Sequence, residues 1–239
     1  ILLFAFYVKK AFQHVWTLVY IGASLGVVFA GDLITLYIYW ELMAVSSAFV
    51  IMARNTPRAK QAAFRYVMVH IFGGLLLLAG IVMTIASTGS TAFDSFDYAD
   101  ANPGTWLILL GFLVNAAAPL VSAWLSDAYP EASVTGGVII SAYTTKTAVY
   151  TLLRGFHGWE PLIAIGCVMA LVGIVYALLE NDMRRILAYT TINQGGFMVC
   201  AAGIGTKLAI SGAVAHAFCH IIYKSLLWMS AGAVLYRTG

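Results

Sequence analysis

Three residues at intervals of four, His216, His220 and Lys224, stand inside an apolar run from about Leu208 to Leu235. On a helix each four-residue step turns only about 40° past a full turn, so the three form one narrow polar stripe. A lysine at the centre of a membrane helix costs roughly 2.5–3.5 kcal/mol on insertion scales, so Lys224 is expected to face a bundle interior or a wet cavity. Titratable groups in such a row can pass a proton from one to the next. Two other apolar runs carry a formal charge near their middle: Glu41 in Tyr-Trp-Glu-Leu-Met and Lys146 in Thr-Thr-Lys-Thr-Ala. Burying all three charges unpaired would cost on the order of 8–10 kcal/mol, so they are expected to meet one another or polar cavities. A static Glu41–Lys146 ion pair would answer that need, and so would a proton relay. Two lysines sharing one obvious carboxylate favour the relay, because the excess lysine can release and rebind a proton.

Weaker candidates surround these. His70, in Val-Met-Val-His-Ile-Phe-Gly-Gly, sits inside an apolar run, where a lone histidine either bonds a neighbouring helix or joins a relay. In Asn115-Ala-Ala-Ala-Pro-Leu-Val-Ser122, Pro119 falls near the midpoint of its run. Proline removes one helical hydrogen bond and clashes with the preceding turn, so a kink or break is expected there. Interrupted helices expose backbone carbonyls and half-helix dipoles that can line ion sites, and Asn115 and Ser122 are placed to order water at the break. Asn193 and Gln194 suit water-mediated transfer or simple interhelical bonding. Arg184 and Arg185, in a compact loop of both charge signs, read as topology anchors. Cys167, Cys200 and Cys219 are scattered singly, without CxxC or metal-ligand spacing, and read as packing residues. No cofactor and no metal is implied.

The elements that must position these groups are membrane helices. At 62% hydrophobic and 10% charged, the chain lies far from the roughly 45–50% apolar and 25% charged mixture of soluble domains. It reads as an all-α integral membrane protein, a polytopic bundle of eight or nine transmembrane helices, with no sizeable soluble domain and no support for nucleic-acid binding. Spans are expected at about Val15–Ala30, Leu33–Met52, Ala62–Ile85, Thr105–Leu125, Val134–Leu153, Leu162–Leu179, Ile186–Ile204 and Leu208–Leu235. The run Ile1–Val8 reads as the tail of a further helix, and a start without Met inside an apolar run reads as part of a longer protein. Threading the spans alternately places Lys9, Lys10, Arg54, Arg58, Lys60, Arg184, Arg185 and Arg237 on one face, with Arg65 close to it. Only Arg154 and Lys207 fall on the other, so the first face is expected to be cytoplasmic.

Five stretches in order carry a resemblance: Tyr-Trp-Glu41-Leu-Met; Asn115 to Ala128, ending Ala-Trp-Leu-Ser-Asp-Ala; Thr-Lys146-Thr-Ala-Val-Tyr-Thr-Leu-Leu-Arg154; Asn-Asp182-Met-Arg-Arg-Ile-Leu-Ala-Tyr189; and His216 to Leu227. Together they resemble the proton-conducting antiporter-like subunits, namely the A-type and D-type subunits of Mrp multisubunit cation/proton antiporters and the related membrane-arm subunits of respiratory complex I. Asn-Ala-Ala-Ala-Pro, Asp-Ala-Tyr-Pro-Glu-Ala and Leu-Glu-Asn-Asp-Met-Arg-Arg look most like the Mrp D type. The resemblance implies one transmembrane antiporter domain over 1–239, with the first of two inverted five-helix repeats at about 15–155 and the start of the second at about 160–239. It implies that Glu41 pairs with a lysine on a broken helix, that Lys146 is central, and that His220 and Lys224 lead onward. The sequence departs in carrying Asn115 for that lysine, Ser122 for histidine, Ser126 for proline and Asn193-Gln194 for Ser-His. Glu41 is therefore expected to find Lys146 or a bound cation instead.

The function so implied is proton translocation and antiport of Na⁺ or K⁺, as one member of a multisubunit complex in a bacterial inner membrane. Glu41 would be the acceptor at the entry, Lys146 the switching base, and His216, His220 and Lys224 the relay. Two alternatives stand beside it: a non-redox proton-pumping subunit of an NADH- or ferredoxin-quinone oxidoreductase, and a non-conducting structural membrane subunit.

Overall fold

The computed structural model describes residue 8 and residues 10–238, and these fold into nine helices without a strand. They are α1 (Ala11–Phe29), α2 (Leu33–Met52), α3 (Pro57–Thr88), α4 (Pro103–Asn115), α5 (Ala123–Ala128), α6 (Val134–Gly155), α7 (Pro161–Leu179), α8 (Met183–Ile204) and α9 (Lys207–Thr238). Local chemistry sets the boundaries. The side chains of Asp32, Thr56, Asn102, Ser133 and Asp182 accept the first free amides of α2, α3, α4, α6 and α8. Pro57 and Pro103 occupy first-turn positions that need no amide. Gly89 and Gly205, at φ 69° and 68°, close α3 and α8 in the left-handed conformation that glycine adopts without strain. The helix tail expected at Ile1–Val8 lies outside the described residues except for Val8.

Five of these helices are long and apolar enough to cross a bilayer: α1, α2, α3, α7 and α9. With 22 residues each, α6 and α8 reach about 33 Å and are long enough as well. Their threonines, Lys146 and the Arg184-Arg185 pair lower the hydropathy. Helices α4 and α5 form one interrupted span, as Pro119 led one to expect. Among the described residues the chain therefore makes eight crossings.

Loop contacts at the two ends reproduce the alternate threading. At the basic end Arg54 donates to Pro130 O at 3.1 Å and pairs with Glu131 at 3.3 Å, while Arg65 grips Asp127 through two bonds of 2.7 and 2.8 Å. Arg184 joins them there, donating to Ala132 O at 3.0 Å and Ser133 O at 3.3 Å. At the opposite end Leu33 N bonds Thr91 O, Phe93 N bonds Gly31 O, and Gly158 N bonds Ala202 O. Arg154 donates to Ala30 O at 2.6 Å and to Phe93 O at 2.9 Å in the same layer. Arg185 is an exposed anchor paired with Glu180. Arg184 is more than that: it is 5% exposed and lies over the Trp228 ring at 5.3 Å.

Glycine lets α7 and α8 approach backbone to backbone. A Cβ at Gly173 would stand 2.5 Å from Asn193 N, and one at Gly196 2.5 Å from Ala170 N. Cys167 and Cys219 are exposed, and the Cys167 and Cys200 sulfurs face each other across α7 and α8 at 4.0 Å. Large apolar residues such as Leu171, Leu178 and Phe218 cover the outside, as a lipid-facing surface requires.

The cap at Asp32 offers a measurable consequence. The Thr35 hydroxyl, with the Thr35 and Ile34 amides, holds its carboxyl below the usual carboxylate range. A group whose folded pKa is depressed stabilises the fold above its ordinary pKa and loses that contribution as pH falls through the folded value. Asp32→Ala should cost about 1 kcal/mol at neutral pH. Asp32→Asn should keep most of the cap and lose the acid sensitivity. Thermal midpoints in detergent at neutral and acidic pH check both, and an unchanged midpoint in Asp32→Ala would show that the cap contributes nothing.

Candidate functional site

The structure sorts the candidate residues into two groups on either side of the helix break. One lies between α6 and α9. Lys146 is 9% exposed, and its ammonium donates to Ser141 O at 2.9 Å and Thr145 Oγ1 at 3.0 Å. The expected Glu41–Lys146 ion pair does not form. The Thr145 hydroxyl and the Ser141 carbonyl satisfy the lysine instead, and no described carboxylate pairs with it. Across the gap, Lys224 is buried at 2% exposure and donates to Thr190 Oγ1 of α8. His220 is fully buried with neither ring nitrogen hydrogen-bonded in the protein, and the buried Nε2 of His216 is likewise without a partner. Their rings run nearly parallel, 6.1 Å apart. Helices α6 and α9 pack directly against each other, with Lys146 near His216, His220 and Lys224. Lys146 thus faces the α9 stripe.

The second group surrounds α3. Glu41 of α2 is half-buried, and its Oε1 is buried without a hydrogen-bond partner. The carboxylate lies so close against α3 at Gly74 that a Cβ there would overlap Oε1. One turn earlier on the same face, His70 is 1% exposed and packs its ring on Tyr66 at 3.8 Å and against the edge of Trp124 at 4.6 Å. Its Nδ1 is 2.8 Å from Tyr66 O; a carbonyl only accepts, so Nδ1 carries the proton and the buried, unpartnered Nε2 is an acceptor. Trp40, next to Glu41, packs on Phe112, one turn before Asn115. Asn115 is fully buried, with both side-chain polar atoms unpartnered in the protein.

Between the groups lies the break, residues 116–122. Ala117 and Leu120, at φ 60° and 74°, flank Pro119 in the left-handed region, which costs non-glycine residues on the order of 1–3 kcal/mol each. The carbonyls expected to be freed here are partly used within the turn: Leu113 O accepts Ala118 N at 3.0 Å, and Val114 O accepts Trp124 Nε1 at 3.0 Å. Ser122 is only partly buried and makes no cap bond. Gln194 bonds Asn193 at 2.8 Å, Asn193 reaches across to Ala170 O at 2.7 Å, and Gly195 faces Ala116 of the break. Among the described residues no three His, Cys, Asp or Glu side chains gather as metal ligands.

Sequence reasoning missed the groups that hold the site without titrating in it. Thr190 anchors Lys224, and buried tyrosines from three segments gather near Thr144, two residues before Lys146. Their spacing in the chain carries no signal, because partners on different segments, up to 124 residues apart, meet only in the fold.

A membrane helix bundle with titratable groups facing one another beside an interrupted helix is the class of protein that fold and site define. Residues 30–239 match the family described as NADH:quinone oxidoreductase/Mrp antiporter, TM, and the chain belongs to that family. It is 27% identical to an Na(+)/H(+) antiporter subunit of Alkalihalophilus pseudofirmus, over 98% of this chain and 33% of that protein. Among solved structures it superposes on a chain of the Mrp complex from Dietzia sp. with a TM-score of 0.84 and 32% identity, covering 92% of this chain and 26% of that one. A chain of the membrane-bound sulfane sulfur reductase, an archaeal respiratory membrane complex, matches with a TM-score of 0.83 and 26% identity, over 91% of this chain and 48% of that one. The chain thus spans half or less of the length of each.

The Gly74 contact is directly testable. Gly74→Ala should push the Glu41 carboxylate off α3 and change its reaction with dicyclohexylcarbodiimide, followed by mass spectrometry across pH. Gly73→Ala, whose added carbon would meet Val114 and not Glu41, should leave the labelling profile of Glu41 as in the parent protein. Identical profiles for all three proteins would remove Gly74 from the site.

Proposed function

We propose that this chain conducts protons, in exchange for Na⁺ or K⁺, within a multisubunit Mrp-type antiporter of a bacterial plasma membrane. The observation that carries the reading is Lys146 set against His216, His220 and Lys224 with no described carboxylate paired to either lysine. Two ammonium groups sharing an apolar region repel each other, so a proton arriving on one drives that on the other onward. Glu41 is the acceptor at the entry, Lys146 the switching base and the α9 stripe the relay. His70 Nε2, Asn115 and Gln194 offer polar atoms to water between entry and switch. In this reading residues 15–155 form the first repeat and 160–239 begin the second, and other membrane subunits complete the path. The likeness to the Dietzia Mrp complex and to the Alkalihalophilus Na(+)/H(+) antiporter protein supports it.

A second reading, a proton-pumping subunit of a respiratory complex, draws support from the likeness to the sulfane sulfur reductase. It uses the same residues, since electron transfer would occur in other subunits. Replacing Glu41 by Gln, or Lys146 by Ala, in the full assembly should lower proton-coupled cation efflux from vesicles by about 100-fold or more while the complex still assembles. Undiminished efflux would refute the assignment. Loss of redox-driven pumping instead of cation exchange would select the second reading.

A further inference from the structure

In a regular helix the Thr144 amide would bond Ile140 O, four residues back. In α6 it donates to the Tyr20 hydroxyl of α1, at 2.8 Å. That hydroxyl is also 2.6 Å from Thr144 Oγ1 and 3.4 Å from Ile140 O. Ile140 O accepts the Tyr129 hydroxyl, at 3.1 Å, from the segment after α5. Tyr20, Tyr129 and Thr144 are fully buried. A side chain inserted between an amide and its helical acceptor widens the turn and tilts carbonyls outward. The next carbonyl along, Ser141 O, is the one that receives the Lys146 ammonium.

We propose that Tyr20 and Tyr129 hold one turn of α6 open, and that the open turn presents Ser141 O as the resting place of the Lys146 ammonium opposite α9. They are positioning residues, and the inference rests on the reading of Lys146 as a proton carrier. The opened turn supplies Lys146 with a backbone acceptor where no carboxylate is at hand. It is an uncharged acceptor, which the ammonium can leave without abandoning a counter-ion. From α9 the groups facing Lys146 are His216, His220 and Lys224. Around its turn stand Tyr20, Tyr129 and Tyr66, all of whose hydroxyls approach Thr144.

The test is Tyr20→Phe in the full-length protein within its assembled complex, which removes the hydroxyl and keeps the ring. A cryo-EM map should show the Thr144 amide back on Ile140 O and the Lys146 ammonium off Ser141 O. Cation efflux should fall about tenfold, in line with one lost buried hydrogen bond, and its pH profile should move. A map with Lys146 unmoved and an unchanged pH profile overturns the proposal. Should Tyr20→Phe fail to assemble, Tyr129→Phe frees the same carbonyl and is read by the same map and profile. The two levels fail separately: full activity in Lys146→Ala removes the carrier reading, whereas an unmoved Lys146 in the Tyr20→Phe map removes the open turn.

Discussion

Lys146 and Lys224 lie in one apolar neighbourhood with no described carboxylate to neutralise either, and that constraint shapes the surrounding fold. Each ammonium must be solvated by uncharged protein dipoles: Ser141 O and Thr145 for one, Thr190 for the other. Such solvation is weaker than an ion pair, and easier to leave. An ion pair at the same depth would be held by both Coulomb attraction and desolvation, and a proton could not move without stranding a buried charge.

The backbone does much of the work that side chains do in other sites. Gly74 clears a place for the Glu41 carboxylate on α3, and the glycines of α7 and α8 bring two helices into backbone contact beside the break. The break reuses carbonyls within the turn, and Asn115 beside it keeps both side-chain polar atoms unpartnered in the protein. On α6 a tyrosine hydroxyl from α1 accepts the amide of Thr144, two residues before the lysine.

Membership of an antiporter-like family gives these features a common setting, since chains of an Mrp complex and of a respiratory complex share the fold over most of this sequence. Buried polar groups without protein partners stand on α2 and α3, beside the break and on α9, and Lys146 of α6 is held by uncharged groups.

Much of this was legible in the chain alone. Apolar runs of membrane length, a proline at mid-span and basic residues gathered mostly at one end are local signals, set by propensity and by the cost of charge in lipid. The four-residue spacing of His216, His220 and Lys224 likewise determined a single stripe. Which groups would meet was not local. Glu41 and Lys146 were both visible as buried charges, but their separation depends on how α2, α3 and α6 pack, and packing placed Glu41 on Gly74 and Lys146 on its own helix. Arg184 looked like a loop anchor until folding buried it over Trp228. Tyr20, Tyr129 and Thr144 carry no formal charge at neutral pH, so nothing in their type or spacing marked them. Their bonds join residues up to 124 apart, and only the tertiary structure, by bringing three segments to one turn of α6, decided that they would act together.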